Sequence, residues 1–374
     1  MKLNKIIFLG LMLLLEACGA QQNPDSKSND VLKQSSCIKV TVNGSLCGKN
    51  SYVNQPCMSV TVNGQVINNI LLDTGSFGLR VFKSVLKTEL KPIASGSGTL
   101  AECVQFGDGS SQWGPIMRAE VQLGEKSFGK IPIMVIDANH ATEPSGCTTQ
   151  GIASDNDPEI AGFNGILGVG FFAQDCGSRC VIDATVNRYF SCTGSTCTPT
   201  MVPLADQVQN PAAIGNNGIV LDLPPVGHKG AVSVEEGCLY LGFGELQSNL
   251  VRINADPKNG YVTTIFNGDR YTTSFLDTGS NGLYFPGTSL KEPHCNFPLS
   301  QYFCPSGIRS LSATLNGTKA DFEIANANDL ALSGNLVFRN IGAHMPGIFD
   351  WGLPFFLGKK IYVGISETAP YWAY

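Results

Sequence analysis

The tetrapeptide Asp-Thr-Gly-Ser occurs twice, at residues 73–76 and 277–280, inside the matching stretches LLDTGSFGLRVF and FLDTGSNGLYFP. A given tetrapeptide arises by chance about once in 10⁵ positions. Two copies with the same apolar lead-in and the same following Gly-Leu therefore mark a duplication. They lie 204 positions apart (277 − 73) in a chain of 374 residues. That spacing predicts two related lobes, each carrying one aspartate at the end of a buried strand.

Composition agrees with a β-rich chain. Charged residues make up only 15%, and 42 residues are glycine, against roughly 25% charged and ~7% glycine in an average soluble chain. Too few charges are present to clothe a helical bundle, and the glycines suit tight turns. The net charge is −5 and no dense Lys/Arg block follows the N-terminus, which argues against a nucleic-acid partner. KVTVNGSL at 39–46 and SVTVNGQVI at 59–67 alternate around Asn-Gly and predict two type I′ hairpins. RAEVQLG, KIPIMVID, GIVLDLP, GCLYLGFG and KKIYVGI read as further strands. Helix signals are short and confined to 83–87, 203–208 and 352–355. Pro224-Pro225 interrupts the strands, so residues 51–225 read as a first lobe and 226–374 as a second.

The repeated motif has a direct physical reading. Apolar residues bury the strand up to Asp73 or Asp277, the glycine lets the backbone turn, and the Thr and Ser hydroxyls supply hydrogen bonds. Two such loops meeting on a pseudo-two-fold axis give a carboxylate dyad. At ~3 Å and an effective dielectric near 20, two like charges repel by about 5.5 kcal/mol, roughly four pKa units. The pair then keeps one proton over a wide pH range. One carboxylate can take a proton from water while the other gives one to a carbonyl oxygen.

The N-terminus carries an address. Lys2 and Lys5 precede an apolar run over 6–15, followed by Leu15-Glu16-Ala17-Cys18-Gly19. This resembles a bacterial lipobox and implies a signal peptide over 1–17 and lipid attachment at Cys18. A plain secretory signal cleaved near Ala20 is the alternative. Gly19 after the cysteine points to the outer membrane, on its periplasmic side or at the cell surface. Residues 18–50 read as a tether and a Cys-containing extension. The polar stretch 19–36 is too short and too weakly basic for an inhibitory pro-segment. Of 13 cysteines, 12 remain once Cys18 is set aside. In an exported protein they predict up to six disulfides. Local pairs are expected at Cys176/Cys180, Cys192/Cys197 and Cys295/Cys304, with the remaining connectivity open. His140, His228, His294 and His344 have no paired ligand spacing, and no CxxC occurs, so no metal and no cofactor are expected. The chain also lacks G-x-S-x-G, GxxxxGK[ST] and HExxH.

Further stretches bring the chain close to a known family. QFGDGSSQWG at 105–114 resembles the flap hairpin of pepsin-type aspartic proteases. FNGILGVG at 163–170, with Ile166-Leu167-Gly168, resembles the strand that crosses behind the first Asp loop, and Phe356-Leu357-Gly358 reads as its second-lobe counterpart. The resemblance covers about residues 55–370. More closely, DTGSFGLRV, QWGP, GILGVGFFAQDCG, LDTGSNGLYFP and FDWGLPFFLGKKIYV resemble a family of exported bacterial proteins of unassigned function. The resemblance to pepsin-type enzymes implies a mostly β, bilobal fold with pseudo-two-fold symmetry and an inter-lobe cleft. It implies Asp73 and Asp277 as the catalytic pair and Thr74 and Thr278 as buried hydroxyls clamping the loops. Ser76 and Ser280 would bond the outer carboxylate oxygens, and Gly75 and Gly279 would donate backbone N–H groups. Phe106, Gly107, Asp108, Gly109 and Trp113 would form the flap against substrate.

Three positions depart from that pattern. Phe106 replaces the usual flap Tyr, Arg80 stands in place of its Trp partner, and Asn164 replaces Asp before the crossing strand. Trp113 is expected to fill the space left by the Trp, and Arg80 is expected in a surface or loop salt bridge. The implied function is a lipid-anchored, exported aspartic endopeptidase acting as a monomer on a peptide or protein substrate, since one chain supplies both acids. The alternative is a non-catalytic envelope or surface binding module on the same scaffold.

Overall fold

The computed structural model describes residues 36–147, 154–287 and 290–374. The leader at 1–17, Cys18 and the polar stretch through residue 35 lie outside them. The chain adopts the mostly β, two-lobed arrangement expected from the repeat, with short helices only. Three of its 3₁₀ turns, Lys83–Val85, Leu204–Asp206 and Leu353–Phe355, fall where the sequence predicts helical turns.

The second Asn-Gly behaves as expected. Strands Pro56–Val62 and Gln65–Asp73 pair antiparallel with Val62 opposite Gln65. Asn63 and Gly64 between them are both left-handed, at φ 46° and 79°, as a type I′ turn requires. The first Asn-Gly is a correction, because it does not close a hairpin. Ile38–Val42 pairs instead with Val234–Leu241 and Pro56–Val62. Beyond Asn43 the Ser45 N–H donates to Glu235 at 2.7 Å, and Cys47 is bridged to Cys57. Long-range pairing and a disulfide have overridden the local turn signal.

Ile38–Val42 also belongs to a sheet that joins the two halves. Val234–Leu241 pairs with Gly218–Asp222, which pairs with Lys360–Gly364, then Tyr371–Ala373 and Arg252–Asn254. The boundary read at Pro224-Pro225 therefore falls inside a shared sheet, and part of the 18–50 extension is a core strand, tied down by Cys37–Cys238. The three expected local disulfides form, and Cys103–Cys147 completes a set of six.

Each half repeats one motif. In the first, Gly165–Val169 lies between the two arms of the Asp loop. It runs parallel to Gln65–Asp73 and antiparallel to Phe77–Phe82, with Gly168 opposite Asp73 and Gly78. In the second half Asp350–Trp351 does the same, parallel to Asp269–Leu276 and antiparallel to Leu283–Phe285. The second-lobe counterpart is thus Asp350-Trp351-Gly352, not Phe356-Leu357-Gly358. The glycines confirm the register. A Cβ on Gly168 would lie 2.4 Å from the Phe77 nitrogen, and one on Gly352 would lie 2.0 Å from the Gly282 oxygen. Both pack against the backbone of their own Asp loop, whereas Gly358 makes a turn at φ 77° beside Pro225. Phe349 and Trp351 then point into an aromatic core with Phe266, Phe285 and Phe322. Each such ring contributes about 2–3 kcal/mol by burial, which fixes the crossing strand from one face.

Candidate active site

The two Asp loops meet. The Thr74 N–H donates to Thr278 Oγ1 at 3.1 Å, and the Thr278 N–H donates to Thr74 Oγ1 at 3.0 Å. Each hydroxyl then donates onward across the axis, Thr74 to the Leu276 carbonyl at 3.2 Å and Thr278 to the Leu72 carbonyl at 2.7 Å. All four groups sit in dry surroundings, where an unmade hydrogen bond is expensive, so the lattice holds the loops in one geometry.

The carboxyls are placed symmetrically. Oδ1 of Asp73 accepts from the Gly75 N–H at 2.7 Å, and Oδ1 of Asp277 accepts from the Gly279 N–H at 2.8 Å. Oδ2 of Asp73 accepts from the Ser76 hydroxyl, and Oδ2 of Asp277 from the Ser280 hydroxyl at 2.8 Å. Both aspartates are fully buried, and each carboxyl acts on the other as a close neighbour. Asp73, Thr74, Gly75, Ser76, Asp277, Thr278, Gly279 and Ser280 therefore stand together as the repeat predicts.

The surroundings break the symmetry. Burial raises both carboxyls above the ordinary range. Asp73 is held back by Asp277, by its hydrogen bonds with Ser76 and Gly75 and by the charge of Arg80. Asp277 is pushed well up, first by burial, then by the charges of Asp73 and Asp350. Asp73 is thus the better carboxylate and Asp277 the better proton holder.

Arg80 is a correction. It is not at the surface but fully buried on the arm leaving the first Asp loop. Its Nη1 donates to the Phe77 carbonyl at 2.9 Å, and its Nη2 meets Asp175 at 2.9 Å and Glu102 at 3.3 Å. Arg188 meets the same two acids at 3.0 and 2.7 Å, and the Tyr189 hydroxyl donates to Asp175 at 2.6 Å. Glu102 is pushed up to about 8, by burial first and then by the charge of Asp175, while the two guanidinium groups act to lower it. This cluster ties the Asp73 loop to the flap strand Gly98–Gln105 that carries Glu102.

The stretch read as a flap forms a hairpin, with Val104 opposite Gln112 and Gln105 opposite Ser111. Its tip is closed by the Phe106 N–H donating to Ser110 O at 2.8 Å and by Gly109 at φ 84°. Gly107, Asp108 and Gly109 are part-exposed, and the charge of Asp108 acts on the Tyr284 hydroxyl of the second half. Phe106 is 6% exposed and belongs to a buried cluster that also holds Tyr52, Leu71 and Ile166. Trp113 belongs elsewhere. It is 1% exposed, edge-on to Phe190 at 5.7 Å and in a cluster with Cys103 and Cys147. It supports the hairpin from behind and fills no gap beside Phe106.

A recess beside Thr74 and Gly75 is walled by Phe77, Phe171, Tyr261, Phe275 and Trp372, from both halves. A larger groove of about 560 Å³ is lined by second-half residues, among them Leu311, Phe322 and Lys359, and by neither aspartate. Among the described residues no group of three or more His, Cys, Asp or Glu is arranged to hold a metal ion.

A family model described as "Protein of unknown function (DUF3443)" matches residues 33–374. No curated protein matches the sequence. Among solved structures, the chain is similar to an aspartic proteinase from Irpex lacteus. The two are 16% identical at a TM-score of 0.52, over 91% of this chain and 97% of that one. At that identity the likeness establishes the pepsin-like fold.

Proposed function

The chain belongs to the family described as protein of unknown function (DUF3443), and we propose that it is an aspartic-type endopeptidase. The observation that carries this reading is the buried Asp73–Asp277 pair, on two loops gripped together by Thr74 and Thr278. A buried carboxyl pair is costly to keep, and a fold alone does not require it. A water held between the acids loses a proton to Asp73 as its oxygen attacks the scissile carbonyl carbon. Asp277 passes its proton to the carbonyl oxygen. The resulting tetrahedral intermediate collapses with proton transfer to the leaving nitrogen, and no acyl-enzyme forms.

The six disulfides support an exported setting, and the lipobox-like residues 15–19 support anchoring through Cys18. One chain supplies both acids, so the working unit is a monomer. The test is ligand-induced stabilisation. A pepstatin-type transition-state mimic should raise the melting temperature of the wild type and lose that effect in Asp73→Asn. A binding module on the same scaffold would give no shift, or the same shift in both.

A further inference from the structure

The second-half groove of about 560 Å³ has the size of a small-molecule site. It lies along Thr318–Ile324, the outermost strand of the second-half sheet. Its lining sets an apolar group, with Leu311, Phe322, Phe355 and Leu357, beside five charged side chains. Three of these are cations, Lys319, Arg339 and Lys359, and two are acids, Asp321 and Glu323. The lining thus carries a net charge of +1 (3 − 2) in a chain whose net charge is −5.

The excess charge belongs to one residue. Lys319 pairs with Asp321, and Arg339 pairs with Glu323. The next residue along the chain, Lys360, pairs with Asp222 at 3.3 Å. Lys359 has no acid partner among the described residues. Its Nζ donates to the Phe355 carbonyl and stands 3.9 Å from the centre of the Phe355 ring. A carbonyl and a ring face occupy at most two of its three N–H donors and cancel none of its charge. Burial, and then the charge of Arg339, lower Lys359 to about 8, so at neutral pH it is still a cation, in a place where a lone cation is costly. Capping the turn Leu353–Phe355 explains the carbonyl contact. It does not explain an unneutralised charge on the wall of a partly apolar groove.

One uncompensated positive charge matches one negative charge on a ligand, and the apolar lining matches an apolar body. An extended peptide fits less well. Lys319 and Asp321 stand exposed on the outermost strand, and charges there oppose the addition of a further strand. We propose that the groove binds a small amphiphilic monocarboxylate, its carboxylate on Lys359 and its apolar body along Leu311 and Phe322. The carboxylate gives Lys359 the charge-assisted hydrogen bond that the other two cations of the groove already make. The site uses neither aspartate of the dyad, so it is independent of the endopeptidase reading.

The test is calorimetric titration of the full-length protein with octanoate, below the range in which it forms micelles. Octanol, with the same body and no charge, and acetate, with the same head and no body, are titrated in parallel. One octanoate should bind per chain, with octanol and acetate each at least about tenfold weaker. Lys359→Met keeps the apolar stem and removes the charge. It should weaken octanoate at least about tenfold and leave octanol unchanged. Ser312→Glu, at an exposed position of the lining, should weaken octanoate as well by setting a second acid against it. Lys360→Met, outside the lining, should bind octanoate as the wild type does. Absence of saturable octanoate binding overturns the proposal, as does octanol binding as tightly as octanoate. Unchanged octanoate affinity in Lys359→Met, or in Ser312→Glu should the lysine variant not fold, overturns it too. Binding of hexa-alanine with a free C-terminus where octanoate does not bind would replace the small carboxylate with a peptide.

Discussion

Thr74 and Thr278 each give a backbone N–H to the other's hydroxyl, at 3.1 and 3.0 Å, across 204 positions of sequence. The dyad depends on this exchange, because it fixes where two separate loops meet. Thr→Val at either position removes one acceptor and one donor and strands a buried N–H and a carbonyl. The expected cost is about 2–4 kcal/mol by chemical denaturation, with Ser recovering most of it. The double Val variant should cost less than the sum of the singles. Strict additivity would show that the threonines do not act as a unit.

The dyad should also govern how stability varies with pH. Asp277 has a folded-state pKa raised above its unfolded value, chiefly by burial. Below the unfolded value, near 3.9, both states hold the proton and nothing is lost. As the pH rises from there toward the folded value, the native state must keep a proton that the unfolded chain gives up, and stability falls. Asp277→Asn removes this penalty. Its advantage in melting temperature over the wild type should be small at pH 4 and clear at pH 7. An advantage independent of pH would contradict the assignment.

Arg80 offers a sharper test of the charge cluster. Arg80→Ala leaves Glu102 and Asp175 buried with Arg188 as their one remaining cation of the pair. Breaking a buried ion pair from one side costs about 3–5 kcal/mol, read in a denaturant titration. A loss of under about 1 kcal/mol, the size of an exposed pair, would mean that the cluster is wet.

The crossing-strand register predicts that Gly352→Ala is severe. A Cβ there would lie 2.0 Å from the Gly282 oxygen and 2.7 Å from the Ser280 oxygen, and neither backbone atom can move without moving the Asp277 loop. A loss above about 3 kcal/mol is expected, together with loss of the inhibitor-induced thermal shift. Wild-type melting in Gly352→Ala would return the crossing strand to Phe356-Leu357-Gly358.

The aspartates and their Thr, Gly and Ser companions were legible because each role is local. A turn, a short hydrogen bond and a buried lead-in all leave their mark within four residues. Arg80 was not, since its partners Glu102 and Asp175 lie 22 and 95 positions away. Pairing at that distance leaves no periodic trace. The available hint was an isolated charge inside each of the apolar runs FGLRVF, LAECV and FFAQDC. Asp350 hid the same way in FDWGLPFF. The apolar-apolar-Gly pattern skipped it and settled on the next match, because a three-residue pattern cannot see which strand pairs with which. The first Asn-Gly failed for a related reason, its strand having found a longer-range partner in Val234–Leu241. Trp113 was placed correctly on the hairpin, but period-two alternation alone does not tell which face of a flap looks at the cleft.

The most direct test is cleavage of a multiplex peptide library by the wild type, Asp73→Asn and Asp277→Asn, each assayed from pH 3 to 7.5. Two aspartates sharing one proton predict cleavage by the wild type and none by either variant at any pH. Cleavage near the wild-type rate in both variants would contradict the account.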